Sequence, residues 1–204
     1  MRTHGWGGHA PADDDEAIER ILEATRACID REGTNAGIAD VARTLGVTRQ
    51  TVYRYFPSTE DLHRAVAMSA TAPFLDRVDD HLAGVIGAPA DIVVEGLAFS
   101  IERLPHEPYL GLLLSTGRVG AFAEGMTSPA ALALGRLIVE RFPVDWAMHG
   151  FDSADLDGLA EHLLRMTQSF LLDLGTPVRN GAALREYFAI WVGPAITAKV
   201  SSAR

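Results

Sequence analysis

Hydrophobic positions recur every three or four residues along most of the chain, and strand-like alternation is absent. Apolar side chains on this spacing line one face of an α-helix, so the pattern predicts an all-helical protein. In the first such segment, Asp13 to Glu16 place negative charge at a helix start and Gly33 supplies the stop. The positions expected to face the core are Ile18, Ile21, Leu22, Thr25, Cys28 and Ile29.

The second and third predicted helices meet at a glycine. Thr34 is expected to cap the second helix and Thr48 to cap the third. Ala42, Gly46 and Val52 stand four and then six residues apart. A small residue lets two helices cross closely, a glycine takes the left-handed backbone of a tight turn, and a β-branched residue fills the gap between the helices. This spacing predicts a helix-turn-helix, whose second helix lies in the major groove of DNA.

Further helices are predicted along the rest of the chain. A fourth begins after Ser58, and Pro73 is expected to kink or break it. The last two, roughly 154–174 and 181–199, are apolar on more than one face, so each needs a partner beyond its own layer. The fold class is therefore all-α, with an N-terminal three-helix DNA-binding domain and a larger C-terminal helical domain. We expect a flexible arm over 1–12, the helix-turn-helix domain over 13–57 and the C-terminal domain over 58–204.

The net charge of the 204-residue chain, −9, argues against nucleic-acid binding, but the local charge around the predicted turn has the opposite sign. Between Asp40 and Glu60 the chain has no acidic residue and three arginines, Arg43, Arg49 and Arg54. Local charge decides whether a surface attracts phosphate, so this window favours DNA binding.

Other features of the sequence indicate the compartment. The longest apolar run, residues 187–198, is shorter than the ~20 residues that a membrane helix needs. The first residues lack the apolar segment of a secretory signal, and the single cysteine, Cys28, excludes an internal disulfide. These features predict a cytoplasmic protein with no membrane contact.

The third helix carries side chains suited to reading DNA. With Val52 and Phe56 turned inward, the residues left for its outer faces are Arg49, Gln50, Thr51, Tyr53 and Arg54. Arginine binds guanine bidentately, glutamine binds adenine, and a threonine methyl group meets the thymine methyl group. Backbone N–H groups at Thr34 and Thr48 are candidates for phosphate contacts, although simple helix capping accounts for both residues equally well.

Residues 38–62, IADVARTLGVTRQTVYRYFPSTEDL, resemble the signature of the TetR family of transcriptional regulators. The shared features are the Ile-Ala pair, the Leu-Gly-Val turn, an aromatic-rich helix ending in Phe, and Pro-Ser before an acidic helix start. The resemblance places Arg49, Gln50, Thr51 and Tyr53 where family members touch bases or backbone. It places Tyr55 at a position that often meets phosphate.

One position departs from the family pattern. Many members carry lysine directly after the serine of the fourth helix, and here that position is Thr59. A phosphate contact is therefore weakened or lost, with Arg64 or an arm carrying Arg2 as possible substitutes.

The resemblance also implies that the C-terminal domain forms a homodimer through the last two helices and encloses a small-molecule pocket. A palindromic operator read by a helix-turn-helix independently requires two copies. Candidate pocket residues, which at this spacing are more often simply core residues, are Phe99, Phe122, Met126, Trp146, Met166 and Phe170. Their apolar character favours a largely hydrophobic effector. The resemblance implies that the effector releases a repressor from DNA. For Arg165, within an apolar helix, we expect a salt bridge.

Two other classes of function remain as alternatives. A helical enzyme finds little support, because no histidine pair has metal-site spacing and no phosphate loop or Gly-x-Ser-x-Gly motif is present. We therefore predict no catalytic residue, metal or cofactor. An interaction module that keeps the helix-turn-helix but has lost DNA binding is the other alternative, since the chain is acidic and lacks the usual lysine.

Overall fold

The computed structural model describes residues 5–110 and 128–202, and all regular structure within these ranges is helical, which confirms the predicted fold class. The described residues form two compact units, 5–71 with 108–110 and 72–107 with 128–202. The α-helices within the described ranges are α1 (Asp14–Glu32), α2 (Ile38–Leu45), α3 (Arg49–Tyr55), α4 (Thr59–Ser69), α5 (Thr71–Leu82), α6 (Pro89–Arg103), α7 (Pro129–Arg141), α8 (Ser153–Leu172), α9 (Gly181–Trp191) and α10 (Gly193–Ser202).

Helix α1 begins and ends where the sequence predicts. The Asp13 carboxylate accepts a hydrogen bond from the Glu16 N–H at 2.8 Å. At the other end the Gly33 N–H donates to the Ile29 carbonyl, with Gly33 at φ 65°. All of the predicted inward positions of this helix are buried except Ile18, which is half-buried and packs against the core.

Helix α2 starts later than predicted, and Thr34 is not its cap. The N-cap is Gly37, whose N–H donates to the Asp40 carboxylate at 3.0 Å. Thr34 lies earlier, exposed, in a short 3-10 turn over Gly33–Asn35. The Asp40 carboxylate, in the first turn, reaches back to the N–H of the N-cap residue, which is the reciprocal half of a capping box. This hydrogen bond, aided by the charge of Arg43, holds the pKa of Asp40 below its usual value.

The first unit has one hydrophobic core, to which α1, α2, α3 and α4 all contribute. Leu62 and Val66 bring α4 into this core, so the unit extends beyond the 13–57 segment expected to bind DNA. The only buried histidine among the described residues, His63, has its Nε2 atom 2.8 Å from the Ala36 carbonyl.

The predicted break near Pro73 is present. Helix α4 ends at Ser69, and α5 begins at Thr71 with Pro73 in its first turn. Proline has no N–H and its ring clashes with the carbonyl four residues earlier, which for Pro73 is that of Ser69. The interruption therefore falls at Ala70, where the chain passes from the first unit to the second.

The second unit is built around α6. This helix packs against α8, α9 and α10, and α7 packs against α8. The largest side chains that are fully buried in this unit are Val78, Leu82, Val93, Val139, Leu184 and Phe188. No helix among the described residues has the length and apolarity needed to span a bilayer.

A polar network ties three helices of the second unit together. The Arg185 guanidinium binds Glu95 at 2.6 and 2.7 Å and Glu102 at 3.1 Å, and His81 Nε2 lies 2.6 Å from Glu95. The hydrogen bonds from Arg185 lower the pKa of Glu95 against the opposing effect of burial. The same carboxylates raise the pKa of Arg185. The network fixes α9 against α6 and α5.

The C-terminal helix differs from its prediction over 181–199. It divides at Val192 into α9 and α10. Pro194 explains the division, because proline has no backbone N–H to donate and its ring clashes with the carbonyl four residues earlier, that of Ile190. Helix α8, predicted over 154–174, spans Ser153–Leu172.

Candidate nucleic-acid interface

The turn between α2 and α3 has the predicted geometry. Gly46 adopts φ 66° and ψ 27°, in the left-handed region. The Val47 N–H donates to the Ala42 carbonyl at 2.9 Å, which closes the turn. Ala42 and Val52 are buried, at 3% and 0% exposure, on the facing sides of the two helices. Close helix crossing and a glycine turn therefore fix the direction in which α3 leaves the core.

The start of α3 is capped by Thr48. Its hydroxyl accepts a hydrogen bond from the Thr51 N–H at 3.2 Å, which confirms the predicted cap. The hydroxyl groups of Thr48 and Thr51 also lie 2.9 Å apart. Val47, directly before the cap, packs against the first-unit core. The first turn of α3 is thus anchored by one hydrogen-bonded pair and one apolar contact.

The surface of α3 has the polarity predicted for a recognition helix. Val52 and Phe56 are buried, whereas Arg49, Gln50 and Arg54 are exposed. Tyr53 is 51% exposed although it is large and mostly apolar. The two remaining candidates, Thr51 and Tyr55, are half-buried. The structure therefore brings all the candidates of α3, with Thr48, onto one short, accessible segment.

The three arginines of the acid-free window differ in their partners. Arg43 forms an ion pair with Asp40 at 3.0 Å. Arg54 lies 3.5 Å from Asp14 and stacks over the Tyr55 ring at 4.6 Å. Within the part of the chain that the structure describes, Arg49 makes no ion pair or side-chain hydrogen bond. Arg49 is thus the arginine of the window whose guanidinium remains available to an incoming ligand.

Asp14 also lies on this surface, which its position in the sequence does not indicate. It lies at the start of α1, and its carboxylate accepts a hydrogen bond from the Tyr55 hydroxyl at 2.8 Å. It also accepts from Arg54. The spacing of Asp13 to Glu16 indicates only a favourable helix start. The contacts of Asp14 with Arg54 and Tyr55 span about forty residues and leave no local pattern in the sequence.

The start of α4 is acidic and carries no basic residue in its first turn. Ser58 caps it by accepting from the Asp61 N–H at 3.0 Å, and Thr59 is exposed directly after the cap. Arg64, a candidate substitute for the usual lysine, pairs with Asp61 at 3.3 Å and with Glu60 at 3.5 Å. A phosphate contact by Arg64 would have to compete with these two carboxylates. Arg2 lies outside the described residues.

The candidate pocket residues of the second unit lie in separate clusters. Trp146 donates to the Val139 carbonyl at 2.9 Å and packs edge-on against Phe151. Phe170 packs edge-on against Tyr187 and Phe188. Phe99 stacks on the His81 ring with 4.1 Å between centroids. Trp146 and Phe170 are thus core residues, whereas Phe99 is half-buried.

Of the remaining pocket candidates, Met166 is half-buried in α8, while Phe122 and Met126 lie outside the described residues. An open groove of about 480 Å³ lies between α6, α9 and α10, and none of the four candidates within the described residues lines it. Arg165 forms the expected salt bridge, with Glu161 at 2.7 Å. No cluster of metal-ligating side chains occurs within residues 5–110 and 128–202.

A capped, exposed recognition helix on a helix-turn-helix, followed by a larger all-helical unit, defines a DNA-binding transcriptional regulator. Residues 21–66 match the family model described as bacterial regulatory proteins, tetR family. The match lies within the first unit, so that unit carries a DNA-binding domain of the TetR type.

Comparisons over nearly the whole chain agree with this assignment. An uncharacterized HTH-type transcriptional regulator of Mycobacterium tuberculosis is 27% identical over 191 residues, which cover 92% of this chain and 89% of the relative. The TetR family repressor AlkX from Dietzia sp. strain DQ12-45-1b superposes with a TM-score of 0.62 at 16% identity, over 90% of this chain and 96% of AlkX. RolR in complex with resorcinol gives 0.51 at 20% identity, over 93% of each chain. Both solved structures share the fold.

Proposed function

We propose that the protein is a cytoplasmic repressor that binds a palindromic operator as a homodimer and is released by a small, largely apolar effector. The observation that carries the DNA-binding part is the exposed guanidinium of Arg49 in the first turn of a capped recognition helix. Bases are assigned to Arg49, Gln50, Thr51 and Tyr53. Phosphates are assigned to Thr48, Arg54 and Tyr55, which lie at the two ends of the helix.

Exposed apolar side chains support a dimer through the last helices. Ile190 and Trp191, at the end of α9, are 54% and 69% exposed, and Leu172, at the end of α8, is 42% exposed. Exposed large apolar side chains on neighbouring elements are typical of protein–protein interfaces. An isologous pairing of these helices would bury them and place one recognition helix in each half-site.

An effector can control DNA binding only if it binds one conformational state of the protein more tightly than the other. A molecule that bound the DNA-competent and DNA-incompetent states equally would change nothing, however tightly it bound. The aromatic and aliphatic side chains of the second unit favour an apolar effector, and RolR, which shares the fold, was solved with resorcinol. The interruption at Ala70, between α4 and α5, is the proposed point at which a change in the second unit reaches the first.

The proposed function predicts a steep dependence of DNA affinity on salt. The wild-type chain, titrated onto a palindromic duplex from beside its own gene and followed by fluorescence anisotropy, should bind as two chains per duplex. Between 50 and 200 mM salt the affinity should fall on the order of 10³-fold if about six phosphates are neutralised. A scrambled duplex is the control. A flat salt response, or equal binding to the scrambled duplex, would support the interaction module instead.

The dimer is tested by replacing Trp191 with aspartate. We expect the free energy of dimerisation to weaken by about 2 kcal/mol or more. Tryptophan side chains contribute much of the binding free energy at such interfaces, and the aspartate charge would be buried there without a partner. Light scattering after size-exclusion chromatography measures the mass. Met148→Asp is the matched control, since Met148 is 81% exposed in the same unit but outside the proposed seam. Equal masses for both variants and the wild type would contradict the proposed dimer interface through the last helices.

A further inference from the structure

The glycine-rich segment before α1 makes defined contacts, which differ from the flexible arm expected for it. Residues 5–9, called here the N-terminal strap, contain a short 3-10 turn over Trp6–Gly8. Trp6 is half-buried and packs against the first-unit core. It adopts φ 70°, a left-handed conformation that is unfavourable for a residue with a bulky side chain. Such a backbone persists only where surrounding contacts hold it in place.

Arg20 supplies those contacts from α1. Its guanidinium donates to the Trp6 carbonyl and to the His9 carbonyl, at 2.7 Å each. It also lies over the Trp6 ring, 5.4 Å from the centroid. Glu16 is 3.7 Å from the same guanidinium. One arginine side chain therefore fixes both ends of the turn in the strap.

The strap reaches the helix-turn-helix at Gly5. A methyl group at Gly5 would lie 2.7 Å from the Gly46 carbonyl oxygen and 2.9 Å from Val47 Cγ1. Both distances are shorter than van der Waals contact, so only glycine permits this approach. Val47 is the residue directly before the cap of α3, and Gly46 forms the turn. The strap thus touches the two residues that set the direction of the recognition helix.

We propose that the N-terminal strap positions the recognition helix for DNA, with Gly5 and Arg20 as positioning residues. The core of the first unit holds the inner face of the turn, through Ala42 and Val52, and the strap lies against its Gly46–Val47 segment. Release of the strap leaves α3 folded but allows the turn to fluctuate, which weakens base contacts that require fixed geometry. This role rests on the proposed function, because it concerns the same DNA-binding helix.

Two full-length variants test the strap. Gly5→Ala removes the close approach, and Arg20→Met removes the hydrogen bonds while keeping a long apolar side chain. Arg26→Met is the matched control, because Arg26 lies on the same helix and bonds Ser69 and Glu19 instead of the strap. Hydrogen exchange of peptides covering 44–56 and 14–32 is measured by mass spectrometry. Operator affinity is measured by anisotropy.

We expect exchange over 44–56 to become about tenfold faster in Gly5→Ala and Arg20→Met, with 14–32 and the Arg26→Met control unchanged. Operator affinity should fall about tenfold in the same two variants, the loss of roughly one base contact. Equal acceleration over 14–32 would show a merely structural role, and unchanged exchange with unchanged affinity would also overturn the proposal. If the wild-type chain bound no operator, the proposed function would fail, whereas the exchange result would still report whether the strap holds the turn.

Discussion

Replacing Gly46 with valine is expected to lower the free energy of unfolding of the first unit by about 1–3 kcal/mol and to weaken operator binding with it. The cost arises in the backbone, since φ at this position is 66° and β-branched side chains rarely adopt that region. Nothing lies within 4 Å of the position that a Cβ atom would occupy, so a steric clash does not contribute. Chemical denaturation and anisotropy with the operator measure the two effects.

Gly46→Asn is the control for this substitution. Asparagine enters the left-handed region more readily than valine, and at an uncrowded position it should keep most of the stability and affinity. A valine variant as stable as the wild type, with normal affinity, would show that the turn does not require the left-handed conformation.

Replacing Arg49 with alanine is expected to cost about 1–3 kcal/mol of binding free energy at one base pair of each half-site, if the guanidinium binds a guanine edge. The prediction rests on exposure and on the free guanidinium within the described part of the chain. Affinities for a panel of operators, each with one half-site base pair changed, measure it. Loss of a base contact relaxes the base preference at a single operator position. Loss of a phosphate contact weakens binding to all operators alike and reduces the salt slope by about one.

Arg43→Ala is the matched control for Arg49→Ala. Arg43 lies in the same acid-free window, but its guanidinium is paired with Asp40 on α2. Exposed pairs of this kind contribute little, so the control should bind nearly as the wild type does. An Arg49→Ala protein indistinguishable from this control would remove both proposed roles of Arg49.

The helix-turn-helix could be predicted because its determinants lie close together in sequence. Ala42, Gly46 and Val52 fall within eleven residues, and the Thr48 cap acts over three. Spacing along the chain therefore determines which residue faces the core and which faces outward. The cap of α2 shows the limit of this reasoning. Residue preferences favour Thr34 as the cap, whereas the structure uses Gly37, whose N–H donates to the Asp40 carboxylate.

Contacts between distant segments could not be predicted in the same way. The glycines of the strap favour a flexible arm in the sequence, whereas its contacts with Arg20 and with the turn come from segments far along the chain. The aromatic candidates of the second unit show a related limit. Periodicity shows that Trp146 and Phe170 face inward, but not whether their neighbours are a cavity or other aromatic rings.

The Asp14 carboxylate alters what a phosphate gains at the far end of the recognition helix. In the free protein the Tyr55 hydroxyl and the Arg54 guanidinium already bind an anion of the same chain. A phosphate bound there, as proposed, would displace the Asp14 carboxylate and would therefore lose the Tyr55 hydrogen bond as part of its gain. Because an exposed ion pair contributes little, this offset would be small, and it would apply equally to nonspecific and operator DNA.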